Sequence, residues 1–199
     1  NRELSRKVKE LTSLSEVTQT ISNSLDINTV LDTIVDTIKN VMGFDICSIK
    51  LLDRDTNSLA IKITRGLGDE YTSKGPTPVG AGISGLAAKM CRAIIVNDTQ
   101  TDPRVPKDHI LPRLGVKSVI SIPLITKQSV LGVLNLYTKE KHEFTGDEIR
   151  LLGIFANQAA GAIENARLFD SLRDSYLNTI QALSMAIDAK DRYTHGHSK

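Results

Sequence analysis

Few residues in this chain have a type and spacing that could do chemistry. The four histidines are His109, His142, His195 and His197. The last two flank one glycine in Tyr193-Thr194-His195-Gly196-His197-Ser198, which raises the question of a metal. A metal site needs several ligands converging in space, and the chain ends two residues after His197. Ser84 and Ser121 have no identifiable histidine partner, so no nucleophile–base pair is expected. Gly80-Ala81-Gly82-Ile83-Ser84-Gly85 matches GxGxxG by letter, but the dinucleotide fingerprint requires a preceding core strand in a βαβ unit. Here Ser73-Lys74-Gly75-Pro76-Thr77-Pro78 precedes it. The stretch therefore reads as a glycine-rich lead-in to a helix, whose free N–H groups could meet an anionic part of a ligand. The densest polar run is Asn97-Asp98-Thr99-Gln100-Thr101-Asp102-Pro103-Arg104. Its Asp98, Asp102 and Arg104 read either as ligand contacts or as Asx-turns with an ion pair. With Cys47 and Ser118 they form the candidate ligand set.

Composition narrows the choice of partner. The chain has 199 residues, 40% hydrophobic and 24% charged, with a formal net charge of +2. No strong field points to nucleic acid or an anionic membrane. There is no tryptophan, and four tyrosines and four phenylalanines do not suggest a base-stacking platform. Cys47 and Cys91 lie in apolar surroundings and read as reduced core thiols of a cytoplasmic protein. No apolar run approaches the roughly 20 residues of a membrane span.

The elements that must position these residues follow from periodicity. Leu4, Val8, Leu11, Leu14, Val17, Ile21 and Leu25 recur at three–four spacing and predict an amphipathic helix over residues 2–24. Asp26 can cap a second helix over 27–42, with Gly43 as its stop. Residues 45–52 and 59–64 alternate like strands, Ile46, Ser48 and Lys50 against Cys47, Ile49 and Leu51 in the first. The turn residues 53–57 make them a hairpin. Residues 66–80 read as loop, 83–91 as a short helix, 94–96 as a brief strand. The proline-bearing stretch 97–115 reads as a long loop, a length that is usually functional or mobile. Strands over 118–125 and 130–137 form a second hairpin. Thr145 and Glu148 make a capping box. The three–four spacing then holds for about 40 residues, against an average helix of about 11 to 12. Past Arg167 the apolar stripe has nothing in the domain to pack on, which predicts parallel pairing of two chains as a coiled coil. A break near Asp174-Ser175 is the alternative. Antiparallel strands with helices on one face give an α+β domain.

Four stretches carry a resemblance to a known family: VGAGISGLAAKMCRAIIVNDTQTDPR (79–104), VKSVISIPLI (116–125), VLGVLNLYTKEKHEFTGDEIRLL (130–152) and ANQAAGAIENARLF (156–169). In order and spacing they resemble a GAF domain, a small regulatory sensor fold, over roughly residues 24–170. The final ALSMAIDAKDRYTHGHSK (182–199) resembles the opening of an HD-GYP phosphohydrolase domain, a group similar to cyclic-di-GMP phosphodiesterases. The resemblance implies a six-stranded antiparallel sheet, a small-molecule pocket on one face closed by the short helix and long loop, and dimerisation through flanking helices. It divides the chain into a coiled-coil helix (1–24), a GAF domain (25–168), and a linker helix with a truncated HD-GYP start (169–199).

The resemblance also bears on ligands. Some cyclic-nucleotide-binding GAF domains carry an Asn-Lys…Phe-x-x-x-Asp-Glu signature. Here Asn135 is followed by Leu136, and two residues rather than three separate Phe144 from Asp147-Glu148. Bilin-binding members hold a thiol in a setting unlike Cys47-Ser48 or Cys91-Arg92. Haem needs an axial ligand, and His109 in the proline-rich loop reads as a surface residue. No haem or bilin is therefore expected. A divalent metal belongs only to the HD-GYP domain, where His197 would correspond to the His of the family's Gly-His-Ser opening. The fragment is expected to be a dimeric, non-catalytic sensor of an unidentified small molecule acting on an HD-GYP domain in cis.

Overall fold

The computed structural model describes residues 26–106, 109–127 and 129–195, the last ten by backbone alone. The helix expected over 2–24 and the residue His197 lie outside the described residues. The elements are α1 (Ile27–Met42), β1 (Ile46–Asp53), β2 (Ser58–Arg65), α2 (Asp69–Thr72), β3 (Thr77–Pro78), α3 (Gly82–Met90), β4 (Ile94–Val96), α4 (Ile110–Arg113), β5 (Ser118–Ile125), β6 (Val130–Thr138) and α5 (Gly146–His195). Six strands form one antiparallel sheet in the order β3-β2-β1-β6-β5-β4.

Local chemistry explains the boundaries. Asp26 accepts the N–H groups of Asn28 and Thr29, fixing the start of α1. Gly43 ends it in the left-handed region at φ 74°, donating to the Lys39 carbonyl. Asp53 Oδ1 accepts from the N–H of Asp55 at 2.9 Å and of Thr56 at 3.2 Å, closing the β1–β2 turn. At α5, Glu148 N–H donates to Thr145 Oγ1 at 3.2 Å while Thr145 N–H donates to Glu148 Oε2 at 2.8 Å. That is the reciprocal capping box.

The sheet is buried on both faces. On one, α1 and the first turns of α5 cover Cys47, Ile49, Ile120, Ile122, Leu134 and Leu136. On the other, α3 sets Ile83, Ala87 and Ala88 against Val96, Val119, Val133 and Tyr137, and Tyr71 of α2 and Leu111 of α4 join them. The two long helices therefore share a face, and the short helix covers the opposite one. Burial of both faces explains why β5 and β6 read as nearly continuous apolar runs.

Three short elements depart from the loops expected over 66–80 and 97–115. α2 and α4 are single turns of four residues each, and β3 is a two-residue edge strand. Pro78 is tolerated there because an edge position needs no second ladder donor. α5 runs from Gly146 to His195 without the break considered near Asp174-Ser175. The chain divides into two compact units, one ending at Glu164 and the other starting at Asn165. In the second unit Phe169, Leu172, Tyr176, Ile180 and Leu183 are exposed. No helix among the described residues is long and apolar enough to cross a membrane.

Candidate ligand site

The sheet register brings three polar side chains into one row. Ser48 of β1 pairs with Asn135 of β6, and Asn135 pairs with Ser121 of β5. All three are fully buried on the face covered by α3. Asn135 Oδ1 accepts from Ser84 Oγ at 2.9 Å and from Ser121 Oγ at 2.6 Å, and Nδ2 donates to Ser48 Oγ at 3.2 Å. One asparagine thus ties β1, β5, β6 and the start of α3. Ser48 Oγ lies 3.0 Å from Tyr137 Oη, which is 2.6 Å from Tyr71 Oη. Burial raises the pKa of both phenols, so both remain protonated. A satisfied polar network of this kind rigidifies a core.

Lys50, two residues along β1 from Ser48, points to the same face and is only 3% exposed. Its ammonium donates to Thr77 Oγ1 at 3.2 Å and sits 5.5 Å from the centre of the Tyr71 ring. Among the described residues no carboxylate pairs with it. Desolvation, reinforced by the charge of Lys74, pushes its pKa down to about 8. Lys74 is half-buried, and desolvation lowers its pKa as well. Its Nζ lies 3.4 Å from His109 Nε2, and His109 Nδ1 accepts from the Leu111 N–H at 3.2 Å to cap α4. These groups surround a cavity of about 20 Å³ together with Gly82, Ile83 and Ser84 at the start of α3. Among the described residues the lining contains two lysines and one histidine but no aspartate or glutamate.

The glycines that match GxGxxG have structural work here. Gly82 sits at φ +57°, and a Cβ on Gly85 would lie 2.4 Å from the Pro78 carbonyl oxygen. They let α3 start abruptly and press against β3. Ala81 offers no side-chain cap, which leaves the first N–H groups of α3 beside the cavity.

Of the five sequence candidates, Asp98, Asp102, Arg104 and Ser118 meet around the loop that follows β4, and Cys47 lies apart on the other face of the sheet. Asp98 Oδ1 accepts from the Gln100 N–H at 3.0 Å, and its carboxylate pairs with Lys141 at 2.7 Å. Asp102 accepts from the N–H and Nε of Arg104 at 2.9 and 2.8 Å, and Arg104 Nη2 donates to the Ile95 carbonyl at 2.6 Å. Ser118 Oγ donates to the Asn97 carbonyl at 2.7 Å and accepts from the His142 N–H at 2.8 Å. Cys47 faces α1 in the other core, where desolvation pushes its thiol up to about 11. Cys91 corrects the expectation of two core thiols. It is the exposed C-cap of α3, at φ 51°, because the helix stops there.

A larger, open groove of about 690 Å³ lies where β1 begins and β6 ends, lined by Phe44, Asp45, Gly66, His142 and Glu148 among others. In the groove His142 Nε2 lies 3.2 Å from Glu148 Oε2. Among the described residues no three or more His, Cys, Asp or Glu cluster as metal ligands. Ser84 and Ser121 both donate to Asn135.

Sequence reasoning missed Lys50, Ser48, Asn135 and Ser84. The alternation of β1 already placed Ser48 and Lys50 on the face opposite Cys47 and Ile49. A Ser-x-Lys pair inside a strand buried on both faces is the signal that could have found them.

A family model described as GAF domain matches residues 24–164. The formate hydrogenlyase transcriptional activator of Salmonella typhimurium is 26% identical over 164 residues, which is 80% of this chain and 24% of that protein. The Escherichia coli protein named phosphoenolpyruvate-dependent phosphotransferase system is 24% identical over 175 residues, 86% of this chain and 23% of that protein. This chain therefore spans about a quarter of the length of these curated relatives. The solved GAF domain from a phosphoenolpyruvate-protein phosphotransferase of Coxiella burnetii superposes with a TM-score of 0.71 at 24% identity, covering 81% of this chain and 96% of that one.

Proposed function

This chain belongs to the GAF family, and on that premise we propose that it senses a small molecule in the cavity beneath α3 and relays its occupancy through α5 to a partner domain. The observation that carries this reading is Lys50, a buried ammonium with one hydroxyl acceptor, in a cavity walled by an otherwise satisfied hydrogen-bond network. A buried charge left this poorly paired is costly, and such sites are where function is expected. Similarity to a segment of a transcriptional activator supports a regulatory role.

In this reading the output domain is of the HD-GYP type, suggested by the resemblance of residues 182–199, and its activity would be hydrolysis of a cyclic dinucleotide. The module acts in the cytoplasm as a homodimer, with the exposed stripe Phe169, Leu172, Tyr176, Ile180 and Leu183 as the pairing face. Coupling requires that the ligand bind two arrangements of the paired helices with different affinity.

A second reading, a dimerisation scaffold without ligand, draws on the cavity's size, since about 20 Å³ holds roughly one water. Native mass spectrometry of the purified chain separates the two. A dimer that acquires a discrete small-molecule mass from a metabolite extract supports sensing. A dimer that acquires none from any extract supports the scaffold.

A further inference from the structure

We infer that the sensed molecule is an anion, with a carboxylate or phosphate group seated between Lys50 and Lys74. The inference rests on the sensing role proposed for the same cavity and adds the chemical class of its ligand.

Hydrogen-bond counting on the cavity walls leads to it. The Lys50 ammonium has three N–H donors and gives one to Thr77 Oγ1. Among the described residues Thr77 is the one hydroxyl that accepts from Lys50, while Ser84 and Ser121 donate to Asn135 and Ser48 bonds with Asn135 and Tyr137. A second ammonium, Lys74, lines the same cavity, and among the described residues no aspartate or glutamate does. Two ammonium groups lining one small cavity repel, and an anion between them relieves the repulsion. The uncapped first turn of α3 lines the cavity too, through Gly82 and Ser84, and adds N–H donors of the same sign.

Two ammonium groups and the uncapped start of a helix around one cavity favour an anionic guest over a neutral one. The cavity admits about one water as it stands. A carboxylate or phosphate group is larger than one water, so seating it must displace the segment that carries His109 and Leu111.

Thermal unfolding of the whole chain tests this at constant ionic strength. The probes are acetate, succinate and inorganic phosphate, against acetamide, succinamide and glycerol as neutral counterparts. Acetate or succinate acting without phosphate would assign a carboxylate, and phosphate acting alone a phosphoryl group. The expected result is a saturable rise in Tm with at least one anion, absent in Lys50→Met. In Lys74→Gln the dissociation constant should weaken by about tenfold, the loss of one charge-assisted hydrogen bond. Lys74 is only half-buried, so that variant carries the comparison if Lys50→Met does not fold. A neutral probe that stabilises wild type and Lys50→Met alike, with every anion inactive, overturns the anion class and leaves the sensing role standing. Anions that stabilise wild type and both variants equally bind elsewhere and overturn it as well. Silence from every probe overturns both proposals.

Discussion

Lys50 carries a charge into the protein at a cost that can be measured. Lowering its pKa from 10.5 to about 8 corresponds to about 3 kcal/mol of destabilisation while both states are protonated. Below about pH 8 the folded and unfolded chains both hold the proton, and the penalty is full. Between about 8 and 10.5 the unfolded chain binds more protons than the folded one, so this contribution to stability rises with pH. Lys50→Met should therefore unfold at higher urea than wild type at pH 7, and the gap should narrow by about 2 kcal/mol at pH 9.5. A variant less stable than wild type at pH 7 would mean that the ammonium is better solvated than its surroundings suggest. Asn135 is the opposite case. Replacing it with leucine strands the hydroxyls of Ser84 and Ser121 in the core and should cost about 3 kcal/mol in urea unfolding. At this scale the sequence was only half legible. Alternation in β1 put Ser48 and Lys50 on one face, but the partners that give them meaning, Asn135, Ser84, Thr77 and Tyr71, come from non-local pairing. The polar run 97–104 drew attention because its residues are adjacent in sequence, yet its side chains bond chiefly within the loop and to its neighbours.

α3 is the element on which the cavity depends, and Gly85 is where it touches the sheet edge. A Cβ there would meet the Pro78 carbonyl oxygen at 2.4 Å, and backbone cannot yield as a flexible side chain does. Gly85→Ala should cost about 2 kcal/mol. It should also weaken ligand binding, because Ser84 moves with the helix; unchanged stability in urea would show that α3 shifts freely. The elements themselves were largely readable. Asp26, Gly43 and the Thr145–Glu148 box mark helix ends by their own hydrogen bonds, and period-two alternation marks β1 and β2. α2, β3 and α4 were not readable, since two to four residues are too few to show a period. β3 also contains Pro78, which argues against a strand everywhere except at an edge.

For the molecule as a whole, the question is what α5 does beyond Glu164. Leu172, Tyr176 and Ile180, four residues apart along the helix, are 69%, 66% and 44% exposed. If a second copy covers that stripe, Leu172→Glu with Ile180→Glu should convert a dimer into a monomer in sedimentation velocity, while ligand-induced shifts in Tm persist. A wild-type monomer would remove the pairing argument. The central claim is that the cavity beneath α3 takes a small molecule, and hydrogen–deuterium exchange along the chain tests it most directly. Titration with the anion found by thermal unfolding should slow exchange in residues 82–90 and 109–113 of wild type and leave Lys50→Met unchanged. Slowing confined to other segments, or equal in wild type and variant, would contradict the account.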